Sequence, residues 1–254
     1  MRTSRILPVV LRYASLALAL SVTFPAHAQP GTTLFLVQSS VVKPDMLTEW
    51  LDIQKNEVVP ALKKAGVKTR TVLRTILGNR SEYLSIQPLE SYGNFDGPSP
   101  LVRALGPEAA ARLTAKLSKC VVASRYYVIN RVDDLSSMPE TPAPVSVSLR
   151  FRIAPGRLQE YEALFKSDYL PLFKKAKAEG MIRGFAYSRR SLGSTGAGEV
   201  TGTTYLGKFA DLDKGPFTTQ ILGQEGARKL VAKFVGLSTS VDQVVRARVA
   251  DLSY

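Results

Sequence analysis

Residues 44–66 read PDMLTEWLDIQKNEVVPALKKAG and residues 155–180 read PGRLQEYEALFKSDYLPLFKKAKAEG, so the chain carries one segment twice. Apolar residues recur in both copies at spacings of three and four, which predicts an amphipathic helix that begins near the first proline. The second proline of each copy cannot donate a backbone hydrogen bond, and this predicts a kink or restart there. The matched pairs are Pro44 and Pro155, Leu47 and Leu158, Glu49 and Glu160, Trp50 and Tyr161, and Pro60 and Pro171. A repeat of this length indicates a duplicated structural unit.

The segments around each copy of the helix also correspond. In the first half the pattern predicts strands at 32–41, 67–77, 82–89 and 121–132, a loop at 91–100 and a second helix at 108–117. In the second half it predicts strands at 145–153, 182–190, 200–209 and 241–249 and a helix at 225–234. Both halves therefore have the order strand, helix, strand, strand, helix, strand, which is that of the ferredoxin-like βαββαβ unit.

The start of the chain has the pattern of an export signal. Three arginines precede an apolar run at 13–24, and Ala26-His27-Ala28 has the small-x-small form of a cleavage site. We expect a periplasmic or secreted protein with no stable membrane anchor once the signal is removed. The predicted organisation is a signal peptide at 1–28, a first repeat at 29–136, a proline-rich linker at 137–144 and a second repeat at 145–254.

Composition excludes several classes of site from the expected mature chain. The single histidine, His27, lies in the signal, so no imidazole remains for a Ser-His-Asp triad, a haem ligand or a conventional zinc site. One cysteine, Cys120, cannot form an intrachain disulfide. The net charge is +13, but the basic residues are dispersed and no nucleic-acid-binding motif is present. We expect no metal, no cofactor and no nucleic-acid partner.

The duplicated βαββαβ order, with its proline-started first helix, resembles the dimeric α/β barrel superfamily in a tandem single-chain form. The long first helix is comparable to that of the NIPSNAP-like group. The resemblance implies an α+β fold in which two tandem ferredoxin-like units form an intrachain α/β barrel, with a ligand site in a cleft between sheet and helices. The superfamily includes cofactor-free monooxygenases, haem enzymes, isomerases and ligand-sensing domains, so the resemblance does not decide function.

Strand alternation and the repeated helix supply candidate ligand-binding residues. In the predicted strand at 145–153, Arg150 and Arg152 share the face that points inward in a closed barrel. Arginines that converge on a cleft bind carboxylate or phosphate groups, and aromatic residues form pocket walls. The candidates are Trp50, Arg70, Arg74, Arg150, Arg152, Tyr161, Arg246 and Arg248. The plainer interpretation is core packing for the aromatic residues and solvent contact for the arginines.

Three functions stay open at this stage. The first is an exported protein that binds a small anionic or aromatic molecule in a sheet-helix cleft. The second is a cofactor-independent enzyme of the monooxygenase or isomerase type, for which the sequence gives no catalytic residue. The third is a structural or interaction protein. The sequence does not set the oligomeric state.

Overall fold

Within residues 31–193 and 198–254, which a computed structural model describes, eight strands close into one antiparallel barrel. The predicted signal peptide, with His27, and positions 194–197 lie outside the described residues. The strands are β1 (Thr32–Val42), β2 (Thr71–Leu77), β3 (Glu82–Pro88), β4 (Val121–Val132), β5 (Val145–Ile153), β6 (Gly184–Leu192), β7 (Glu199–Leu206) and β8 (Ser238–Arg248). Their order around the barrel is β1-β3-β2-β8-β5-β7-β6-β4.

This order contains the same four-strand sheet twice. The first half gives β4-β1-β3-β2 and the second gives β8-β5-β7-β6. The sheets join where Leu73 of β2 pairs with Arg248 of β8, and where Ile129 of β4 pairs with Arg190 of β6. The predicted fold class is therefore confirmed: the protein is α+β, with two tandem ferredoxin-like units that form an intrachain α/β barrel. The boundaries given above for the repeats and the linker stay predictions.

Helices cover the outside of the barrel. They are α1 (Leu47–Ile53), α2 (Val59–Lys64), α3 (Pro100–Leu105), α4 (Pro107–Cys120), α5 (Leu158–Leu164), α6 (Leu170–Ala178) and α7 (Phe217–Ala232). A π-helical turn, Gln54–Val58, connects α1 to α2, and a second, Phe165–Tyr169, connects α5 to α6. We call each of these connected sets a repeated helix. Among the described residues, no helix is long and apolar enough to cross a membrane.

The π-helical turns explain how each repeated helix accommodates its second proline. The backbone N–H of Val59 donates to the carbonyl of Gln54, and that of Leu170 donates to the carbonyl of Phe165, five residues back in both cases. Proline has no N–H to donate, and the wider turn before it changes which carbonyls need a partner. The predicted break at Pro60 is thus a widened turn through which the helix continues.

Several element boundaries differ from the sequence prediction, and three of them concern β2, α3 and α7. Residues 67–70 are not part of β2, because the backbone of Arg70 pairs with that of the C-terminal Tyr254. The predicted loop at 91–100 ends at Ser99, whose hydroxyl accepts from the N–H of Val102 and starts α3. Helix α7 starts eight residues earlier than predicted and bends at Gly223, whose φ is 70°.

The two faces of the barrel sheet have different chemistry. The outward face packs against the helices in two apolar cores, one around Trp50 and Leu62 and the other around Tyr161 and Phe173. The inward face lines a cavity with apolar side chains such as Phe35, Val37 and Ile129 and with serine, threonine, tyrosine and arginine side chains. Alternation along the strands therefore separates a helix-facing set that contributes to two apolar cores from a barrel-facing set that mixes apolar and polar side chains.

Candidate functional site

An open cleft lies between the sheet and the helices of the first half. Its volume is about 1110 Å³, enough to hold a small organic molecule. The first repeated helix and α4 form one wall, and β1, β3 and β4 form the floor. Side chains that define it are Leu36, Gln38, Ser40, Trp50, Gln54, Val58, Leu62, Lys68, Arg70, Gln87, Arg103 and Tyr126. The cleft is thus a mixed surface with three basic residues.

Arg70 lies at the base of this cleft and is held by backbone and side-chain contacts. Its N–H and carbonyl both pair with Tyr254, at 2.7 and 2.9 Å. Its side chain points toward the helices, where Nη2 donates to Oε1 of Gln54 at 2.7 Å and to Oγ of Ser85 at 2.9 Å. Only 2% of Arg70 is exposed. The guanidinium is therefore fixed in place before any ligand arrives.

The charge of Arg70 has no counter-ion. Its Nε and Nη1 atoms are buried and have no hydrogen-bond partner, and no carboxylate among the described residues forms an ion pair with it. Burial lowers the pKa of Arg70 to about 10, so the group stays protonated at neutral pH. A buried, unpaired cation is costly to the fold, and buried charges are normally paired. This arrangement suits an anion that completes the site.

Gln54 owes its position to the π-helical turn, where it is the first residue. Only 4% of it is exposed, and its amide oxygen accepts from Arg70. π-Helical turns frequently occur at functional sites. The turn that accommodates Pro60 therefore also places a polar side chain against the buried guanidinium.

Aromatic side chains form the remaining walls. Trp50 is 2% exposed, and its ring centroid lies 4.7 Å from that of Tyr83. Tyr126 comes from the outward face of β4 and is 59% exposed at the mouth. Because Trp50 is the only tryptophan in the chain, its fluorescence reports on this cleft alone.

The same region of the second half is filled. Phe185 pairs its backbone with Ser137 as Arg70 does with Tyr254, so Phe185 is the repeat equivalent of Arg70. Phe165 begins the second π-helical turn, as Gln54 begins the first. Phe165 and Phe185 both lie in the aromatic core with Phe173, Phe185 stacking on Phe173 at a centroid distance of 4.8 Å. The two halves have therefore diverged: this region is a cleft with polar side chains in the first half and an apolar core in the second.

Tyr161, the equivalent of Trp50, belongs to this aromatic core. It is 5% exposed and contacts Phe151 and Phe234 at centroid distances of 6.4 and 5.1 Å. Burial raises its pKa well above the usual range. Its predicted ligand-binding role stays untested, and its position is that of a packing residue.

The predicted arginines separate into three locations. Arg70 lies in the cleft; Arg74 points to the same helix layer, opposite Tyr83, but does not line the cleft. Arg150, Arg246 and Arg248 line the barrel cavity. Arg152 lies beside them and contacts Glu199 at 3.4 Å. The candidates thus do not converge on one site, and their roles as ligand-binding residues stay predictions.

Sequence reasoning missed Gln54 and Ser85. A signal for both was present in the repeat, since their equivalents are Phe165 and Gly202. A position whose side chain is polar in one copy and apolar, or missing as in glycine, in the other marks a place where the two clefts have diverged. Within the described ranges, no cluster of three or more His, Cys, Asp or Glu side chains is placed to hold a metal ion.

No protein-family model and no curated protein sequence matches the chain. Solved structures do match. An anthrone oxidase-like protein superposes with a TM-score of 0.60 at 11% identity, over 88% of this chain and 93% of that one. A protein of Lactobacillus acidophilus NCFM proposed to be a monooxygenase gives 0.53 at 8% identity, over 85% and 94% of the two chains. Another from Fusobacterium nucleatum, of the same description, gives 0.52 at 9% identity, over 87% and 94%. The likeness is one of fold.

Proposed function

We propose that the protein is an exported binding protein for a small aromatic carboxylate, which occupies the cleft of the first half. The observation that carries this proposal is the buried Arg70 guanidinium with two unpartnered nitrogen atoms. A carboxylate that accepts from Nη1 neutralises the charge and gives one of these two nitrogen atoms a partner in a charge-assisted hydrogen bond. Export rests on the signal-like pattern of residues 1–28.

The aromatic part of the ligand follows from the walls of the cleft. Trp50, Val58 and Leu62 offer an apolar surface beside Arg70, and Tyr126 offers a ring at the mouth. Aromatic and aliphatic walls with a few placed polar groups are typical of small-molecule sites. Lys68 and Arg103, also in the lining, add positive charge that favours the approach of an anion.

A cofactor-independent oxygenase is the second candidate, and it is supported by the oxidase-like and monooxygenase descriptions of the structural neighbours. Such chemistry needs an ionisable group in a protected position. Of the described residues that line the cleft, the one carboxylate, Glu90, and the one tyrosine, Tyr126, are both exposed. Binding without turnover is therefore the function that the geometry supports best. A structural or interaction role is the third candidate.

Titration with phenylacetate tests the proposal. With excitation of Trp50, we expect a saturable change in fluorescence and a Kd below about 1 mM. Phenylacetamide has the same shape without the charge, and it is the matched control. We expect the amide to bind at least about tenfold more weakly, because it cannot neutralise Arg70.

Two results would overturn the proposal. Equal affinity for acid and amide would show that Arg70 does not select an anion. Absence of binding across benzoate, phenylacetate and 3-phenylpropanoate, in both fluorescence and calorimetry, would remove the ligand class. Incubation of the complex with dioxygen and analysis of the ligand by mass spectrometry separates binding from oxygenation, since only the latter adds oxygen to the molecule.

A further inference from the structure

The interior of the barrel holds a second cavity, separate from the cleft. Its volume is about 590 Å³, in the range of small-molecule sites. Of the described residues that line it, six are arginines and three are carboxylates: Arg125, Arg131, Arg150, Arg190, Arg246 and Arg248, with Glu82, Glu140 and Asp242. Hydroxyl groups of Ser146, Ser148, Thr203 and Tyr205 complete the polar lining. A barrel this size usually fills its interior with side chains, so a polar cavity with excess positive charge calls for an explanation.

One end of this cavity is internally neutralised. Glu199, just behind the lining, has a side chain that is 1% exposed and lies 3.0 Å from Nη1 of Arg190. Nη2 of Arg150 donates to Asp242 at 2.6 Å. Nη2 of Arg246 donates to Glu82 at 3.2 Å. These carboxylates form ion pairs with the arginines that lie near the first residues of β3 and β7.

Arg248, near the opposite end, forms no ion pair with a described residue, and comparison with the other repeat explains why. Its equivalent, Arg131, donates through Nε to Asp133 at 2.8 Å. Asp133 is the first residue of the 3₁₀ turn that follows β4. The first residue of the corresponding 3₁₀ turn, after β8, is Ala250. Arg248 has therefore lost the counter-ion that Arg131 keeps. Its Nε atom is buried without a hydrogen-bond partner.

Two further unpartnered groups lie beside Arg248. Ser146 of β5 is the cross-strand neighbour of Arg246 of β8. Only 3% of Ser146 and 9% of Arg246 are exposed, and neither the Ser146 hydroxyl nor Nε of Arg246 has a partner. Both residues line the cavity. Three buried donor groups on two neighbouring strands thus have no hydrogen-bond partner, although Nη2 of Arg246 itself contacts Glu82.

We propose that this end of the barrel binds a small anion through Arg248 and Ser146, with Nε of Arg246 as a further donor. The ligand class is a small molecule with phosphate or carboxylate groups, since Arg248 forms no ion pair with a described residue while Arg246 contacts Glu82. Guanidinium forks match the planar and tetrahedral oxyanions of both groups. The tyrosine hydroxyl of Tyr205, on the strand next to Ser146, supplies another contact for an oxyanion.

The linker gives this end of the cavity its entrance. Met138, Pro139, Glu140, Pro142 and Ala143 line the cavity, and Met138 is 40% exposed. Arg248 lies beside the linker, because its N–H donates to the carbonyl of Pro144 at 2.8 Å. The segment predicted as a passive connector between the repeats thus borders the opening to the proposed site.

Calorimetry with inorganic pyrophosphate and with citrate tests the proposal and distinguishes phosphate from carboxylate preference. We expect one site per chain, with a Kd below about 1 mM for at least one of the two anions. Arg248→Met should weaken that binding by at least about tenfold. Arg112→Met removes the same charge from an exposed position on α4 and should leave the binding within about twofold of the wild type, because exposed charges are screened by salt.

If Arg248→Met does not fold, Ser146→Ala replaces it. The Ser146 hydroxyl has no partner, so its removal costs the fold little, and the expected loss is about threefold. The proposal is overturned if neither anion binds, or if Arg248→Met or Ser146→Ala binds as tightly as Arg112→Met. Phenylacetate saturation should not displace pyrophosphate or citrate, and Trp50 fluorescence should not follow pyrophosphate binding. Failure of one site is therefore distinguishable from failure of the other.

Discussion

Replacing Arg70 with methionine is expected to weaken phenylacetate binding by about 30-fold or more, because the loss of one member of a desolvated charge pair costs roughly 2–5 kcal/mol. The same change should leave the free energy of unfolding of the unliganded protein within about 1 kcal/mol of the wild type. Methionine, which has a similar length, removes an unpaired buried charge that is costly to the fold, but it also removes the donor to Gln54 and Ser85, and the two effects oppose each other. Loss of binding with retained stability marks a residue kept for a ligand.

The matched control is Arg74→Met. Arg74 lies in β2, and its side chain points to the helix layer as that of Arg70 does. Its Nε is also buried without a partner, but the side chain does not line the cleft. Phenylacetate binding to this variant should stay within about twofold of the wild type, since no contact to the ligand is lost. The account would be wrong if both variants lost affinity equally, or if Arg70→Met kept its affinity in the fluorescence titration.

The second large effect is expected at Glu199. Its carboxylate lies 3.0 Å from Arg190, 3.4 Å from Arg152 and 3.8 Å from Arg150, and its side chain is 1% exposed. Glu199→Gln leaves three guanidinium groups close together without their shared counter-ion. Breaking a buried ion pair from one side costs about 3–5 kcal/mol. We expect the free energy of unfolding, measured in urea, to fall by about 3 kcal/mol.

The duplication supplies the control for this change. Glu82 is the first residue of β3, as Glu199 is of β7. It pairs with one arginine, Arg246, and its side chain is 23% exposed. Glu82→Gln should therefore cost about 1 kcal/mol, the upper end of the range for a single ion pair in a partly hydrated position. Equal losses for the two variants would contradict the view that Glu199 balances several arginines.

Much of the fold could be predicted from the sequence because the repeat constrains it. Strand β4 was predicted at 121–132 and β5 at 145–153, where the structure places them. The predicted order of elements gave the correct fold class. The π-helical turn was not predicted, because a proline in a helical pattern indicates a disturbance without specifying which hydrogen bonds change. The start of β2 was misplaced since its neighbour there is the distant Tyr254.

The sequence did not divide the candidate residues between the two cavities. Arg70 and Trp50 line the cleft, whereas Arg150 and Arg246, grouped with them in the prediction, line the barrel cavity, and the ligand-binding role of all four stays a prediction. Alternation separates two faces of a strand without identifying which face meets the helices. In this chain both faces contain arginine, so polarity does not resolve the ambiguity. Gln54 and Ser85 become informative only when each is compared with its equivalent in the other repeat.

The crystal structure of the protein soaked with phenylacetate tests the central claim most directly. We predict density for the ligand in the cleft of the first half, with its carboxylate within hydrogen-bond distance of Nη1 of Arg70 and its ring against Trp50. The corresponding region of the second half, filled by Phe165 and Phe185, should hold no ligand. Density in any other position, with the Arg70 guanidinium still lacking an anion at saturating phenylacetate, would contradict the account.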